Sequence, residues 1–233
     1  RAFGARFLQL AGNSFGVAAV TALLAVGLGL LLAYSARLSA SRLNRGVNRL
    51  AGLGYAIPGT VIAVGVLIPV AQLDHALIAL LEKITGNPLP LLLTGSVIAL
   101  VYAYLIRFLG VALQSVDAGL TKITPSMDDA ARSLGAGVGS VALRVHVPLL
   151  KGSLVTASLL VFVDVMKELP ATLVMRPFNF DTLAVQAYTL AMDERLTEAS
   201  TASLAIVVVG LIPVILASRA ITRPQRPAPP GSK

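Results

Sequence analysis

Residues 124–148, which read TPSMDDAARSLGAGVGSVALRVHVP, form a polar, glycine-rich segment between two long apolar runs. Thr124 and Pro125 predict the start of a helix, because proline is favoured in the first helical turn. The acids that follow suit the positive end of the helix dipole, and glycines from Gly135 onward permit a sharp exit. The segment therefore predicts a short helix whose small residues let another surface approach its backbone.

The rest of the chain is too apolar for a water-soluble domain. Hydrophobic residues make up 56% of the 233 residues and charged residues 13%, whereas soluble domains carry roughly a quarter charged residues. The net charge is +8, but the basic residues fall in short connectors, which indicates topology signals and no nucleic-acid partner. There is no cysteine, so disulfide and thiolate chemistry are excluded. We expect an all-α, polytopic membrane protein embedded in lipid.

Five apolar runs predict spanning helices, since a helix needs about 20 mostly apolar residues to cross a bilayer. We place the first helix start at Asn13 and Ser14, and we expect Pro58 to kink the second span. A further short helix is predicted over 182–192, between the last two spans. The five runs cover residues 14–34, 53–72, 91–115, 153–166 and 201–218.

The positions of Lys and Arg predict the orientation. The first connector, which includes Arg37, the long connector over 117–152 and the C-terminal tail hold most of the basic residues, so these three parts are predicted to be cytoplasmic. The N-terminal residues are then outside, and the Pro-rich tail 224–233 is predicted to be disordered. Since the chain starts at Arg1 outside the membrane, we also expect that a preceding part of a longer polypeptide is missing.

The polar segment resembles the signature of the permeases of binding-protein-dependent ABC importers. That signature has Glu-Ala-Ala, three residues, Gly, nine residues and then Ile-x-Leu-Pro. This chain has, at the same intervals, Asp129-Ala130-Ala131, Gly135 and Val145-His146-Val147-Pro148. Asp replaces Glu, and Val replaces both Ile and Leu. Type I permeases have a five-helix core with this loop between the third and fourth core spans, which agrees with the order of spans above.

The resemblance implies a transmembrane permease domain over 1–223 with a cytoplasmic coupling helix inside 117–152. In that family the coupling helix seats in a groove of a cytoplasmic ATPase, and closure of the ATPase dimer moves it. The residues assigned to this coupling are Asp128, Asp129, Ala130, Ala131, Gly135 and Pro148. His146 falls at a position of the signature that accepts any residue, and we interpret it and His75 as hydrogen-bonding residues.

Further partners follow from the same resemblance. They are a periplasmic substrate-binding protein and a second permease half, either preceding in the same chain or as a separate subunit. No phosphate-binding glycine loop is present, so ATP and Mg²⁺ are expected on the partner ATPase, and no cofactor is expected on this chain. The predicted location is the bacterial inner membrane.

Charged residues near the membrane boundary are candidates for a substrate pathway, because charges there are energetically unfavourable and often have a function. Asp164 and Glu168 are spaced i, i+4 and are predicted to share one helix face, where two carboxylates can offer oxygens to a hard cation. The alternative is structural: Asp164 pairs with Arg107 of the third span, while Lys167 and Glu168 stay at the interface. Arg107, Asp164 and Glu168 are thus pathway candidates, and no resident metal site is assigned.

Several stretches are similar to iron(III)-uptake permeases, including GYAIPGTV at 54–61, FVDVMKELPAT at 162–172 and RPFNFDTLA at 176–184. The similarity implies iron(III) transport and a fused two-copy permease of which this chain is the second copy. Permeases for thiamine, polyamines and sulfate share the loop signature and stay as alternatives. An ATPase-independent carrier or channel, a membrane scaffold, and an intramembrane enzyme with Asp164 and Glu168 as acid and base are the alternatives of other classes. The resemblance implies a permease without enzymatic activity.

Overall fold

The computed structural model describes residues 2–39 and 41–221, so the predicted tail 224–233 lies outside the described residues. Two irregular helical segments interrupt the α-helices: a 3₁₀ turn over Gly54–Ala56 and a π-helical segment over Ala142–His146. The α-helices in chain order are α1 (Ala2–Leu38), α2 (Arg42–Leu53), α3 (Gly59–Thr85), α4 (Val97–Leu120), α5 (Pro125–Ser133), α6 (Val138–Val141), α7 (Val147–Leu149), α8 (Lys151–Met166), α9 (Pro170–Met175), α10 (Leu183–Met192) and α11 (Leu196–Ile221).

Four of these helices, α1, α3, α4 and α11, are long and apolar enough to cross a membrane. A fifth span results if the segment Val138–Leu149 and the helix α8 are counted together, although they meet at a bend of 73°. The predicted all-α membrane architecture is therefore confirmed. The short helix predicted over 182–192 is also present, as α10.

The start predicted for the first helix is wrong. α1 runs from Ala2 without a break, and Asn13 and Ser14 lie within it. Their side chains bond to a distant segment: Asn13 Nδ2 donates to the carbonyl of Asp181 at 2.9 Å, and Ser14 Oγ accepts from the backbone N–H of Leu183 at 2.8 Å. Residue types that commonly cap a helix here fasten α1 to residues 181–183 at the start of α10.

The second span also begins later than predicted. Pro58 stands immediately before α3, at its N-cap, and so ends an irregular break instead of kinking a continuous helix. Ile57 is extended, with φ −85° and ψ 134°, as expected of a residue that precedes proline. The proline inside this helix is Pro69, and the helix continues to Thr85.

The core forms where α1 packs along α4 and α8. Small residues on α1, among them Ala18, Ala22 and Ala25, are buried against these helices, and the backbone of Gly29 closely approaches that of Leu113. Small residues at such contacts let membrane helices pack at short range. This packing brings the last turn of α1 beside the end of α4, where α5 begins.

The connection between α3 and α4 is held by one buried carboxylate. Asp74 accepts hydrogen bonds from the backbone N–H groups of Leu92, Leu93 and Thr94 at 2.9, 3.1 and 2.8 Å. Three donors satisfy a charge that would be unfavourable in an apolar core. The side chain therefore fixes the turn that leads into α4.

Candidate functional site: the exposed helix α5 and its anchor

The polar segment folds as its sequence predicts. Thr124 is the N-cap of α5, Pro125 is its first residue and Asp128 lies in the first turn. Gly135 has φ 80° and reverses the chain after the helix, a conformation that is strained for residues with a Cβ. The local prediction of a helix with a sharp exit is thus correct.

One side of this segment faces away from the protein. Asp129 and Ala130 are exposed, and Ala131 is partly exposed. The segment also presents large apolar side chains without cover, above all Leu134, which is 90% exposed. The other exposed apolar residues nearby are Met127, Val138 and Leu143. A group of exposed apolar residues beside charged ones is typical of a protein interaction surface.

Asp128 points the other way and anchors α5 to the helical bundle. Its Oδ2 accepts from Nε and Nη2 of Arg37, at 3.1 and 2.9 Å, and its Oδ1 lies 2.5 Å from Nε2 of His146. The Asp128 side chain is only 17% exposed. The adjacent acids therefore differ: Asp128 holds the helix in place, whereas Asp129 is available to a partner.

Arg37 is the residue that joins three elements. Besides Asp128, its guanidinium donates to the carbonyls of Leu120 and Ile123, at 3.0 and 2.9 Å. These carbonyls belong to the last turn of α4 and the residues just after it, where the helix leaves oxygens without intrahelical donors. One side chain thus connects the end of α1, the end of α4 and the start of α5.

His146 completes the anchor from the other end of the segment. It is buried at the end of the π-helical segment, and its ring meets the Tyr34 ring edge-on, with centroids 5.3 Å apart. Because the Asp128 carboxylate only accepts, Nε2 of His146 carries the proton and donates. Its Nδ1 has no hydrogen-bond partner among the described residues. The prediction that His146 is a hydrogen-bonding residue is confirmed. The signature accepts any residue at this position, but in this chain the side chain is buried and anchors α5.

The electrostatic environment favours the charged form of Asp128. Burial alone would raise its pKa, but the hydrogen bonds from Arg37 and His146, together with their charges, outweigh burial and hold the pKa below its usual value. The carboxylate is therefore ionised at any physiological pH, and the anchor is intact throughout that range.

The pathway candidates on α4 and α8 come together only in part. α8 ends at Met166, so Asp164 and Glu168 do not share a helix face, and that prediction is wrong. Asp164 pairs with Lys167 at 3.0 Å, and Arg107 pairs with Glu168, Nε to Oε2, at 3.3 Å. The predicted Arg107–Asp164 pair is also wrong, because the break after α8 turns Glu168 toward α4.

The Arg107–Glu168 pair lies at the break before α3. Arg107 Nη1 donates to the carbonyl of Ile57 at 2.9 Å, while Oε1 of Glu168, itself 6% exposed, accepts from the backbone N–H of Ala171 at 3.0 Å. A Cβ at Gly59 would lie only 2.7 Å from that Oε1. The pair therefore fixes the break in the second span against α4 and α9. Among the described residues, no group of three or more His, Asp or Glu side chains is placed to hold a metal ion.

Sequence reasoning missed Arg37 and the anchoring role of His146. The available signal for Arg37 was its place in the last turn of an apolar helix, where a charged side chain needs a partner. No local pattern indicates that His146 and Asp128, which are 18 residues apart, form a contact.

No family model matches the chain. The chain is 27% identical over 210 residues to the Fe(3+)-transport system permease protein FbpB 2 of Haemophilus influenzae, which is 90% of this chain and 38% of that protein. A second ferric transport permease of the same species is 27% identical over 159 residues, 68% of this chain and 23% of its own length. The chain thus spans less than half of the length of these curated relatives.

Solved structures show the same architecture. The crystal structure of a bacterial ABC transporter involved in the import of the acidic polysaccharide alginate matches with a TM-score of 0.69 at 17% identity, over 93% of this chain and 80% of that chain. The alginate transporter in complex with an alginate pentasaccharide-bound periplasmic protein matches with a TM-score of 0.68, at 17% identity, over 93% and 79%. The chain therefore has the fold of ABC importer permeases, and its sequence relatives are permease proteins, as its resemblance to that class predicts.

Proposed function

We propose that this chain, with its ABC importer permease fold, forms one half of the pore of an importer that moves iron(III) into the bacterial cytoplasm. The observation that carries the proposal is α5, an exposed helix anchored between the end of α4 and the start of α8 of that fold. The similarity to Fe(3+)-transport permeases supports iron(III) as the substrate. The chain would lie in the inner membrane with α5 on the cytoplasmic side.

In this proposal α5 contacts a dimeric cytoplasmic ATPase. Asp129, Ala130 and Ala131 form the close contact, and exposed Leu134 supplies apolar surface. Gly135 shapes the exit from the helix, and Pro148 begins the approach to α8. Asp128 has a different role from its neighbours, since it transmits movement of α5 to α1 and α4 through Arg37.

The proposed transport step is alternating access without covalent chemistry on this chain. Closure of the ATPase dimer displaces α5, and the anchor passes the displacement to the spanning helices as a rigid-body movement. ATP and Mg²⁺ belong to the ATPase. A periplasmic binding protein delivers the substrate, and a second permease half, in the same polypeptide or as a separate subunit, completes the pore.

The substrate-pathway residues receive separate roles. Glu168 and Arg107 form an ion pair, and each also bonds to the neighbouring backbone. We therefore propose that this pair maintains the shape of the break in the second span, beside which the substrate passes. Asp164, whose partner Lys167 is exposed, is the carboxylate more easily freed for transient contact with a cation. Both carboxylates stay candidates for such contact.

The test is transport by the intact protein in proteoliposomes with its ATPase and binding protein. We expect ATP-dependent uptake of radiolabelled iron(III) that excess thiamine, polyamine, sulfate or alginate oligosaccharide does not reduce. Uptake that persists without the ATPase would indicate a carrier or channel. Uptake of a competitor instead of iron(III) would keep the importer class and reject the substrate.

A matched pair of glycine variants tests the coupling role. Gly135→Ala forces a side chain into φ 80° and is strained by about 1–2 kcal/mol, so we expect lower uptake per ATP hydrolysed. Gly139→Ala, for which a Cβ meets nothing within 4 Å, should leave this ratio unchanged. Equal ratios in both variants would contradict coupling through the exit from α5.

A further inference from the structure

The short helix α2 has an unusual arrangement of faces. It follows α1 in the chain. Ser41 caps α2, and the Asn44 side chain donates to the carbonyls of Ser35 and Ser39, at 3.1 and 3.0 Å. A narrow face with Asn44, Asn48 and the small residues after it is partly buried against the bundle. The two remaining flanks are exposed.

One exposed flank of α2 is apolar. Leu43 is 75% exposed and Leu50 is 69% exposed, with Val47 between them. These positions are spaced i, i+4 and i+7, so the side chains line one side of the helix. Because α2 lies in the chain between the long apolar helices α1 and α3, with only a short break before α3, this flank is placed to contact hydrocarbon.

The other exposed flank carries three arginines. Arg42, Arg45 and Arg49 line an open cleft of about 280 Å³, and Gly46 leaves room between them. None of the three side chains has a hydrogen bond or ion pair with the described residues, whereas the Arg37 side chain in the last turn of α1 bonds to α5, to the end of α4 and to Ile123 just after it. No acidic residue lies in residues 35–53 to neutralise them.

We propose that α2 is an interfacial helix that binds an anionic phospholipid of the cytoplasmic leaflet. The phosphodiester lies in the cleft among the three arginines, and the acyl chains run along Leu43, Val47 and Leu50. Guanidinium groups match phosphate oxygens with paired donors. A helix with a basic flank and an apolar flank lies in the headgroup region, where anionic lipid attracts each basic residue.

The apolar flank favours a lipid over a soluble acidic partner. With Leu43 and Leu50 against hydrocarbon, the arginines of the same helix lie at the depth of the headgroups, where lipid phosphodiesters are the nearest anions. A phospholipid satisfies both flanks at once. The inference depends on α2 lying at the cytoplasmic surface of the membrane, and it does not depend on the transported substrate.

The experiment measures lipid binding to the intact protein in a neutral detergent. Dioleoyl phosphatidylglycerol and dioleoyl phosphatidylcholine are titrated separately, with retained lipid counted by native mass spectrometry and Tm measured in parallel. The variant Arg42→Gln/Arg45→Gln/Arg49→Gln is compared with Lys122→Gln/Arg132→Gln/Arg144→Gln, which removes the same charge from exposed sites of the long connector. Leu43→Ser/Leu50→Ser tests the apolar flank alone.

We expect phosphatidylglycerol to bind at least tenfold more tightly than phosphatidylcholine and to raise Tm. The α2 arginine variant should lose this preference, the long-connector variant should keep it, and the serine variant should weaken binding severalfold. Arg45→Gln alone should weaken binding about fivefold, which gives a readout if the triple variant is poorly folded.

Four results would overturn the proposal. The first is equal binding of the two lipids to the unmodified protein. The second is an equal loss of preference in both triple variants. The third is full displacement of phosphatidylglycerol by millimolar inorganic phosphate with no effect of the serine variant, which would assign the cleft to a free anion. The fourth is normal lipid binding by the α2 arginine variant together with loss of ATPase binding, which would assign the flank to a protein interface.

Discussion

Replacement of Asp128 by Asn separates the anchor of α5 from its exposed face. The substitution keeps the shape of the side chain but removes the charge that accepts two N–H groups of Arg37 and one of His146. The Asn amide has only one accepting oxygen. Its NH₂ group would face N–H donors of Arg37 or His146, with which it cannot form a hydrogen bond. A hydrogen bond to a charged group contributes about 1.5–3 kcal/mol, and partial exposure of the pair reduces the ion-pair share.

We therefore expect about 2 kcal/mol less stability for the docked position of α5. That difference corresponds to a roughly 30-fold larger population of the undocked segment. The assay is hydrogen exchange of the intact protein, followed by mass spectrometry on peptides from residues 125–134. Exchange should become faster there and at the end of α4, while peptides from α10 keep their rates.

Asp129→Asn is the matched control. Asp129 carries the same charge one residue away, but its side chain is exposed and has no partner within the described residues, so exchange should change little. In the proposed importer this second variant weakens ATPase binding without loosening α5. Equal exchange rates in the two variants would refute the assignment of Asp128 as the anchor.

Three further predictions concern stability. Gly54→Ala introduces a Cβ that overlaps a carbonyl oxygen of α4, so we expect a loss of about 1–3 kcal/mol in thermal unfolding, whereas Gly52→Ala meets open space and should be neutral. Asp74→Asn removes the charge that holds three backbone donors and should lower stability by about 2–4 kcal/mol, with the exposed His75→Gln as the unaffected control. The third prediction concerns pH. Since the folded-state pKa of Asp128 is lowered, its contribution to the stability of docked α5 is complete above its unfolded-state pKa of about 3.9 and is lost as the pH falls through its folded-state pKa. Hydrogen exchange of α5, corrected for its intrinsic pH dependence, should therefore be constant from pH 5 to 8 and faster below pH 4.

The parts of the fold that the sequence predicts are those set by local patterns. Apolar runs predict the membrane helices, and Thr124-Pro125 with Gly135 predicts the limits of α5, because capping and positive φ depend on near neighbours. The prediction that Asp164 and Glu168 share a helix face fails because contacts from outside the local sequence decide the structure there. It assumes a helix that continues past Met166, but tertiary bonds to Glu168 stabilise a break there.

Long-range contacts account for the rest of the differences. Asn13 and Ser14 look like a helix start until their partners near residues 181–183 are known. Arg37 looks like a topology signal, and only the packing of α1 on α4 shows that it also binds the start of α5. These roles depend on contacts with residues about 80 to 170 positions away in the sequence. A pattern within one stretch of sequence does not indicate such contacts.

The unbroken course of α1 makes it a lever. At 1.5 Å per residue, its 37 residues span about 55 Å. One end is tied to α5 through Arg37, and the other half is tied to the start of α10 through Asn13 and Ser14. A tilt of only about 5° would move the far end by about 5 Å, the rise of one helical turn. A helix broken at Asn13 could bend at the break, so that the tilt would not reach the residues beyond it. The continuous α1 instead moves as a rigid body, so that a displacement at one end also moves the opposite end.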